Sequence, residues 1–285
     1  MRDSAIWQLA ACDRRPLVAA AMFAGQTIQI WCLTSSEQIG EYPVIGEVSD
    51  LVMAVDGEIC ISCACSGGLT AYSVPDGIRL WHRPDFSDIQ HLTVDSSGRR
   101  VYCGFENKPL AVVDAATGDV QDTIPDALTI LFSPTGRDRL IVERNWHRIE
   151  GDHDFRVPPE SFRVPNAAFS PESVCIRGTV LTCYDLSSGN ARWRHEQFGS
   201  GSITFASDYE FYCAVSSGNP PRTSLIRLAP NLLDCDLVAR LGRGCQTAFA
   251  QFGEVLITSR GDVHETRTGR LLTQLKFLQR DYPDR

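Results

Sequence analysis

The sequence predicts an all-β protein, a seven-bladed β-propeller built from four-stranded antiparallel blades. Two interleaved series of turns support this prediction. One consists of corners of the form Asp-x-x-(Thr/Ser)-Gly, and the other of polar turns that separate two apolar runs. Each series recurs seven times in 285 residues. Such regular recurrence, at about 40 residues, indicates repeated supersecondary units.

The corners define the repeat. Gly or Asn at the end of a corner supplies a positive φ, and the Asp or Ser side chain at its start can accept a backbone N–H across the turn. The clearest examples are the segments SVPDG, DAATG, DLSSG and ETRTG, and successive corners lie 33 to 42 residues apart. The seven corners end at Ser36, Gly77, Gly118, Gly151, Gly189, Asn231 and Gly269.

The second series of turns completes the unit. Turns such as those in TVDSSGRRVY and FSPTGRDRLIV follow one apolar run and precede the next. The runs are short, alternating and rich in β-branched residues, as expected for half-buried strands. The unit therefore reads strand, turn, strand, short turn, strand, corner, strand. Four short strands in about 40 residues are typical of one propeller blade.

Seven such units account for nearly the whole chain, so we expect a single propeller domain over 1–285 with no second domain. The first and last units are complete, and no exchange of a terminal strand is predicted. Blade 4 has the weakest pattern because its second half is rich in charge and proline, which predicts short or displaced outer strands. The predicted blades are 5–44, 45–86, 87–125, 126–164, 165–198, 199–242 and 243–278, followed by a polar tail at 279–285.

The repeats resemble two known propeller types. FSPTGRDRLIV, TVDSSGRRVY and AFSPES are similar to the inner-strand turn of WD40 repeats. AYSVPDGIRLWH and CYDLSSGNARWRH are similar to the quinoprotein-like segment Asp-x-x-Thr-Gly-x-x-x-Trp, with Trp81 and Trp193 four residues after their corner glycine. The chain has no Trp-Asp dipeptide and no adjacent cysteines. The resemblance is therefore one of repeat type, and no quinone or other cofactor is predicted from it.

Charge, apolar runs and cysteine content restrict the classes of partner and the compartment that the sequence predicts. The net charge of −8 disfavours nucleic acid and anionic membrane as partners, and no apolar run is long enough to span a bilayer. Arg14 and Arg15 before the apolar run 17–24 resemble a twin-arginine export signal, but that run is short and fits a strand. Most of the 11 cysteines lie in apolar runs, which indicates buried, reduced thiols. We therefore expect a cytoplasmic protein.

Two groups of residues could bind metal. Cys60, Cys63 and Cys65 have a ligand-like spacing, but Cys60 points to the opposite face of an extended strand. The segment HRIEGDHDF at 147–155 collects two histidines and three carboxylates. Loops of this composition are common, and Gly151 is already explained as a corner. Neither group is predicted as a metal site, and no catalytic residue is predicted.

The loops that connect successive blades lie on one face of a rigid ring, where they can bind another macromolecule. Phe86, Arg163, Phe198 and Arg243 lie in these loops and are of types that anchor protein interfaces; packing between blades or solvation is the alternative for each. The predicted function is a non-enzymatic protein-binding scaffold, including a form that acts as an inhibitor or immunity protein. The alternatives are an enzyme or small-ligand or metal-binding propeller, with its site in the central channel or at 147–155, and an exported quinoprotein-like propeller of the cell envelope.

Overall fold

The computed structural model describes residues 6–22, 26–143, 146–157, 166–177, 180–195, 202–206, 210–217, 222–228, 235–243, 247–250 and 253–276. These residues form seven separate four-stranded antiparallel sheets arranged in a ring. The predicted seven-bladed β-propeller is therefore confirmed. The only helical segment among the described residues is a single 3₁₀ turn, Val55–Gly57.

The strands follow one another in each sheet in chain order. Blade 1 contains β1 (Ile6–Ala11), β2 (Leu17–Met22), β3 (Thr27–Cys32) and β4 (Gln38–Pro43). Blade 2 contains β5 (Val48–Ala54), β6 (Ile59–Ala64), β7 (Gly68–Ser73) and β8 (Arg79–Arg83). Blade 3 contains β9 (Ile89–Val94), β10 (Arg100–Phe105), β11 (Leu110–Asp114) and β12 (Val120–Ile124). Blade 4 contains β13 (Ala127–Phe132), β14 (Asp138–Glu143), β15 (His147–Gly151) and β16 (Phe155–Val157).

The remaining three blades have the same order. Blade 5 contains β17 (Asn166–Phe169), β18 (Ser173–Arg177), β19 (Leu181–Asp185) and β20 (Ala191–His195). Blade 6 contains β21 (Ile203–Phe205), β22 (Phe211–Ser217), β23 (Arg222–Leu228) and β24 (Cys235–Arg243). Blade 7 contains β25 (Thr247–Ala250), β26 (Val255–Thr258), β27 (Asp262–Glu265) and β28 (Leu271–Gln274). Blade 4 is a complete four-stranded sheet, and its outer strand has only three residues.

The first strand of each blade lies nearest the axis of the ring. Contacts join β1 to β5, β5 to β9, β9 to β13, β17 to β21, and β25 to β1. Because neighbouring strands are antiparallel, each blade's connection to the next lies at one end of the ring. The turns between first and second strands lie at the other end, together with the corners.

The hydrophobic core is divided among the seven interfaces between blades. Each interface holds one cluster of buried apolar side chains contributed by both neighbours. Between blades 3 and 4, for example, Tyr102, Leu110 and Val112 pack against Ile130 and Ile141. The alternating runs in the sequence therefore bury one face against the preceding blade and the other against the following blade, and apolar burial of this kind holds the ring together.

The corners that end at Gly118 and Gly189 have the conformation that the sequence predicts, and the corner that ends at Asn231 lies outside the described residues. Gly118 has a φ of 79°, and the Oδ1 atom of Asp114 accepts hydrogen bonds from the backbone N–H groups of Ala116 and Thr117 at 2.9 and 3.0 Å. Asp185 accepts the same kind of bond from Ser188 N at 2.9 Å. The start of each of these corners thus satisfies backbone donors that would otherwise face water.

The corner glycines Gly118 and Gly189 each receive an aromatic side chain from the preceding blade. A Cβ atom at Gly118 would lie 2.8 Å from Cδ2 of Trp81, and a Cβ at Gly189 would lie 2.9 Å from Cγ of Phe155. Trp81 and Phe155 each stand four positions after their own corner glycine. We call this position the plug residue. Its recurrence explains physically why a corner glycine and an aromatic residue repeat at a fixed spacing.

A β-bulge precedes the plug residue in several blades. In blade 2, Ala71 pairs with Trp81 whereas Tyr72 pairs with Arg79, so that Leu80 is the extra residue. In blade 5 the extra residue is Arg192. A bulge re-aims the following side chain and interrupts the regular edge of the sheet. It therefore turns the plug toward the neighbouring corner and makes the outer strand a poorer template for pairing with another chain.

The interface between blades 3 and 4 differs because its plug position is Asp122. A small cavity of about 220 Å³ lies there, and Asp122, Arg100, Gln121, Tyr102 and Arg139 are among the residues that line it. An aspartate does not fill the volume that the ring of Trp81 or Phe155 occupies at its interface, and the space remains open.

The ring closes between blades 7 and 1 without exchange of a strand, since each sheet contains only consecutive strands. Trp31 and Leu33 of blade 1 pack against Val255, Ile257 and Leu275. At the plug position of blade 7, the hydroxyl of Thr273 lies 2.6 Å from that of Ser36 at the corner of blade 1. Side-chain packing and one polar contact thus replace the aromatic plug at this interface.

Candidate functional site

The connections between blades and the turns between second and third strands form one end of the ring, which we call the linking face. In its described part the connections are 44–47, 84–88 and 125–126, and the turns include 65–67 and 106–109. These segments are short and are held at both ends by strands of the ring. The linking face is therefore a rigid surface suited to binding a macromolecule.

Two large apolar side chains project from the linking face. Ile45 is 62 % exposed and Trp146 is 49 % exposed. The backbone of Ile45 lies so close to Gly67 that a Cβ there would collide with the carbonyl oxygen of Ile45, and the guanidinium of Arg156 lies 5.5 Å from the Trp146 ring centroid. Exposed apolar residues on a rigid frame are typical anchors of protein interfaces.

The described part of the linking face carries more acid than base. Arg83 is bound to Asp85 by an ion pair of 2.8 Å, and Lys108 lies 5.4 Å from the Phe105 ring centroid. The remaining exposed acidic side chains outnumber the remaining bases, so the face presents a negative potential to an approaching molecule. Its exposed acidic residues are Glu47, Asp85, Asp88, Glu106 and Asp126.

The four anchor residues predicted from the sequence are placed as follows. Phe86 is 7 % exposed and packs in the core between blades 2 and 3, with its ring centroid 5.8 Å from that of Phe105. This placement favours the packing alternative for Phe86. Arg163 and Phe198 lie outside the described residues, and Arg243 is the last residue of β24, with its backbone paired to Arg222. The role of these three arginine and phenylalanine side chains stays a prediction.

The polar side chains of 147–155 form hydrogen bonds and ion pairs with other residues of blade 4. Nδ1 and the backbone N–H of His153 lie 3.2 and 3.0 Å from Oδ1 of Asp138. Glu150 binds both Arg139 and Arg148, at 2.8 and 2.5 Å. Among the described residues, no three His, Cys, Asp or Glu side chains are grouped closely enough to hold a metal ion. The carboxylate and imidazole groups here act as partners for the turn and for neighbouring guanidinium groups.

The cysteines lie mostly inside the blades, as the sequence predicts. Cys60 packs between blades 1 and 2 and Cys63 between blades 2 and 3, so these two thiols point to opposite faces of β6. Burial raises the pKa of each to about 12. Cys65 is exposed in the turn after β6, which differs from the predicted burial because the apolar run ends at Ala64. The nine cysteines whose side chains the structure describes form no disulfide.

A partly buried carboxylate connects the first strands of blades 2 and 3. Asp50 accepts hydrogen bonds from the backbone N–H groups of Leu92 and Leu51 at 2.7 and 2.8 Å. Burial raises the pKa of Asp50 to about 6, against the lowering effect of these two bonds. On the facing strand, burial lowers the pKa of His91 to about 4. Neither residue could be identified from the sequence, because their partial burial depends on the contact of β5 with β9.

No family model and no curated protein matches the sequence. The structure is similar to a chain in a crystal structure of the mitotic checkpoint complex, with a TM-score of 0.68 and 12 % identity. The match covers 90 % of this chain and 88 % of that chain. In all, 1521 chains of solved structures match, which shows that this architecture is widely shared and does not by itself select a function.

No helix in the described part of the chain is long and apolar enough to cross a membrane. The quinoprotein-like resemblance stays a prediction, since the structural comparison bears on architecture alone. The described residues form a seven-bladed β-propeller, an architecture that the structural comparison supports and that leaves the family of the chain open.

Proposed function

We propose that this protein is a protein-binding propeller that docks a partner on its linking face. The observation that carries the proposal is the exposure of Ile45 and Trp146 on the linking face, whose described part carries more exposed acidic than basic side chains. Apolar anchors within a charged rim are the usual composition of a protein interface. The excess of carboxylates favours a basic partner surface that presents apolar or aromatic residues to these two anchors.

The test compares partner capture by three forms of the full chain, followed by mass spectrometry. The forms are the unmodified protein, the double variant Ile45→Asp with Trp146→Ala, and the control variant Leu271→Asp. Leu271 is 53 % exposed on the outer strand of blade 7, away from the linking face. We expect the unmodified and control proteins to capture the same partner and the double variant to lose it. Equal capture by all three forms would overturn the proposal.

Salt provides an independent measurement on the captured complex. Raising the ionic strength from about 0.05 M to about 0.5 M shortens the range of charge interactions severalfold. We expect the association rate to fall with salt while the dissociation rate changes little, because surface charges mainly steer encounter. An association rate independent of salt would contradict a basic partner surface.

An inhibitory role is a specialised form of the same proposal. A partner whose functional surface is covered by the linking face would lose activity when this protein is added, and the double variant would leave that activity unchanged. We also propose a cytoplasmic location, because the nine cysteines whose side chains are described form no disulfide and a reducing compartment maintains thiols in this state. Cell fractionation tests the location, and its outcome does not affect the docking proposal.

A further inference from the structure

Two cysteines face each other across neighbouring strands of blade 5. Cys175 of β18 is paired with Cys183 of β19, and both side chains are buried in the core between blades 5 and 6. In the strand pairings of the described residues, no other two cysteines are opposite each other. Blade 5 therefore holds a pair of thiols that is separate from the proposed docking site on the linking face.

The register places these two residues at the closer of the two kinds of strand pair. The N–H of Leu186 donates to the carbonyl of Glu172 at 2.9 Å, so these two form a hydrogen-bonded pair. Hydrogen-bonded and non-hydrogen-bonded pairs alternate along antiparallel strands, and Cys175 with Cys183 lies three steps further along without a bulge. The two cysteines are therefore a non-hydrogen-bonded pair. In such pairs the Cα atoms lie about 4.5 Å apart, which is within the range of about 4.4–6.8 Å that a disulfide spans.

The two thiols already interact with each other. The thiol of Cys175 donates a hydrogen bond to the sulfur of Cys183, and this bond lowers the pKa of the Cys183 thiol against the raising effect of burial. The hydroxyl of Ser173 and the guanidinium of Arg192 lower this pKa further. A sulfur with more thiolate character reacts faster with oxidants. Cys183 is thus the thiol that reacts first, and Cys175 is placed to react with it second.

A single strand separates Cys183 from the outer edge of its sheet. This strand is β20, in which Trp193 lies opposite Cys183 and has intermediate exposure. Peripheral elements open locally at a lower cost in free energy than the core of a fold, and hydrogen peroxide is little larger than water. A small oxidant therefore needs only local opening of β20 to reach the two thiols.

We propose that Cys175 and Cys183 form a reversible disulfide when the protein meets hydrogen peroxide. In the first step the sulfur of Cys183 attacks one peroxide oxygen, the O–O bond breaks, and the leaving hydroxide takes the thiol proton and becomes water. In the second step the sulfur of Cys175 attacks the resulting sulfenic acid, the S–O bond breaks, and a second water leaves with the Cys175 proton.

The two steps balance. Two thiols and one peroxide give one disulfide and two waters, because the two sulfur atoms together lose the two electrons that the peroxide oxygens gain. A dithiol reductant reverses the change by thiol–disulfide exchange. The reduced pair is then the state in a reducing compartment, and the disulfide is the state under peroxide.

The test treats the folded full chain with hydrogen peroxide, removes the excess with catalase and blocks the remaining thiols with N-ethylmaleimide. Trypsin places the two cysteines in separate peptides, 164–177 and 178–192, so their disulfide joins these peptides and is identified by mass spectrometry. We expect this cross-link to form and dithiothreitol to remove it. Absence of the cross-link under conditions that oxidise the exposed thiol of Cys65 would overturn the proposal.

Three variants assign the two roles. Cys60→Ala is the control, because Cys60 is as buried as Cys175 but lies opposite Met53 and Tyr72. We expect it to keep the cross-link. In Cys175→Ala no second thiol displaces the sulfenic acid, so dimedone should label Cys183, whereas in Cys183→Ala the labelling of Cys175 should be about tenfold slower. Thermal unfolding checks that each variant is folded, and faster labelling of Cys175 would contradict the order of attack.

The same treatment in urea shows whether the folded arrangement is the cause. The two cysteines are close in sequence, so an unfolded chain could also join them. We expect the chain unfolded in urea to give mixed cross-links among its 11 cysteines, without the preference of the folded protein for Cys175 with Cys183. An equal preference in the unfolded chain would show that proximity in sequence determines the pairing, and would overturn the proposal.

Discussion

The indole of Trp81 lies against Gly118 of the neighbouring blade, and its Nε1–H donates a hydrogen bond to the carbonyl of Ala115 at 3.0 Å. The contact joins the outer strand of blade 2 to the corner of blade 3. It requires a residue without a side chain at the corner and a large flat ring on the preceding blade. The same relationship between Phe155 and Gly189 joins blades 4 and 5.

We therefore expect Gly118→Ala to destabilise the fold by about 2 kcal/mol or more. The added Cβ would lie within 3.1 Å of three atoms of the Trp81 ring, at a φ of 79° that disfavours alanine. Urea unfolding measures the change in the free energy of unfolding. In the Trp81→Ala variant, Gly118→Ala should lower the free energy of unfolding by less, because the clash with the indole ring is absent and only the backbone strain remains. Equal costs in both backgrounds would show that the ring does not contact this corner.

Asp50 and His91 are expected to have opposite effects on the pH dependence of stability. The pKa of Asp50 rises from 3.8 unfolded to about 6 folded, so its contribution to stability is lost as pH rises from about 4 to 6. The pKa of His91 falls from 6.5 unfolded to about 4 folded, so its contribution is gained over nearly the same range. Each amounts to roughly 3 kcal/mol, and the two largely cancel.

Asp50→Asn removes the contribution of Asp50 to the pH dependence of stability and keeps that of His91. We expect the free energy of unfolding of this variant, measured relative to the unmodified protein, to increase by roughly 3 kcal/mol between pH 4 and pH 6.5. His91→Gln should show the opposite trend. Urea unfolding at four pH values measures both variants, and parallel curves for all three proteins would contradict the burial of these groups.

Cys32 occupies the position at its corner that Asp114 and Asp185 occupy at theirs. The backbone N–H groups of Ser35 and Thr34 donate to its sulfur and lower the pKa of the thiol. A turn that stabilises an anion in this way should accept a carboxylate. We expect Cys32→Asp to raise the free energy of unfolding by about 1 kcal/mol, and Cys65→Asp, in an exposed turn, to change it little. A loss of stability on Cys32→Asp would show that the blade 1 corner has a different geometry.

The segment 147–155 is expected to be structural. Replacing His153 and Asp154 with alanine should leave the metal content of purified protein unchanged, and chelation should leave its melting temperature unchanged. Asp138→Ala should destabilise the fold by about 2 kcal/mol, because Asp138 is buried and accepts the His153 N–H at 3.0 Å. Elemental analysis and thermal unfolding measure these quantities. Stoichiometric metal that the double variant loses would contradict this assignment.

The architecture could be predicted because each blade carries its own local signals. The corner before Gly118 and the alternating runs on either side of it are set by neighbouring residues, and the sheets lie within the predicted blade ranges except that β24 ends one residue later, at Arg243. Trp81 could be assigned to its position for the same reason. It repeats at a fixed distance from a corner glycine.

The functional surface could not be predicted as well, because exposure depends on contacts between blades. Phe86 lies in a connecting loop but is buried by Phe105 of the next blade. Trp146 directly precedes the charged segment 147–155, and its exposure follows only from the position of the turn between β14 and β15. An aromatic residue at the tip of a hairpin is the signal that could have identified it.

The contact between blades 7 and 1 brings together parts of the chain that are far apart in sequence, such as Ser36 and Thr273. Every other interface joins consecutive blades, so its formation closes a shorter loop and costs less chain entropy. We therefore expect the interface between blades 7 and 1, which we call the seam, to form last during folding. We also expect it to separate first under mechanical or thermal stress. An open, C-shaped intermediate would expose Trp31 and Ile257, and we expect aggregation to begin from this form.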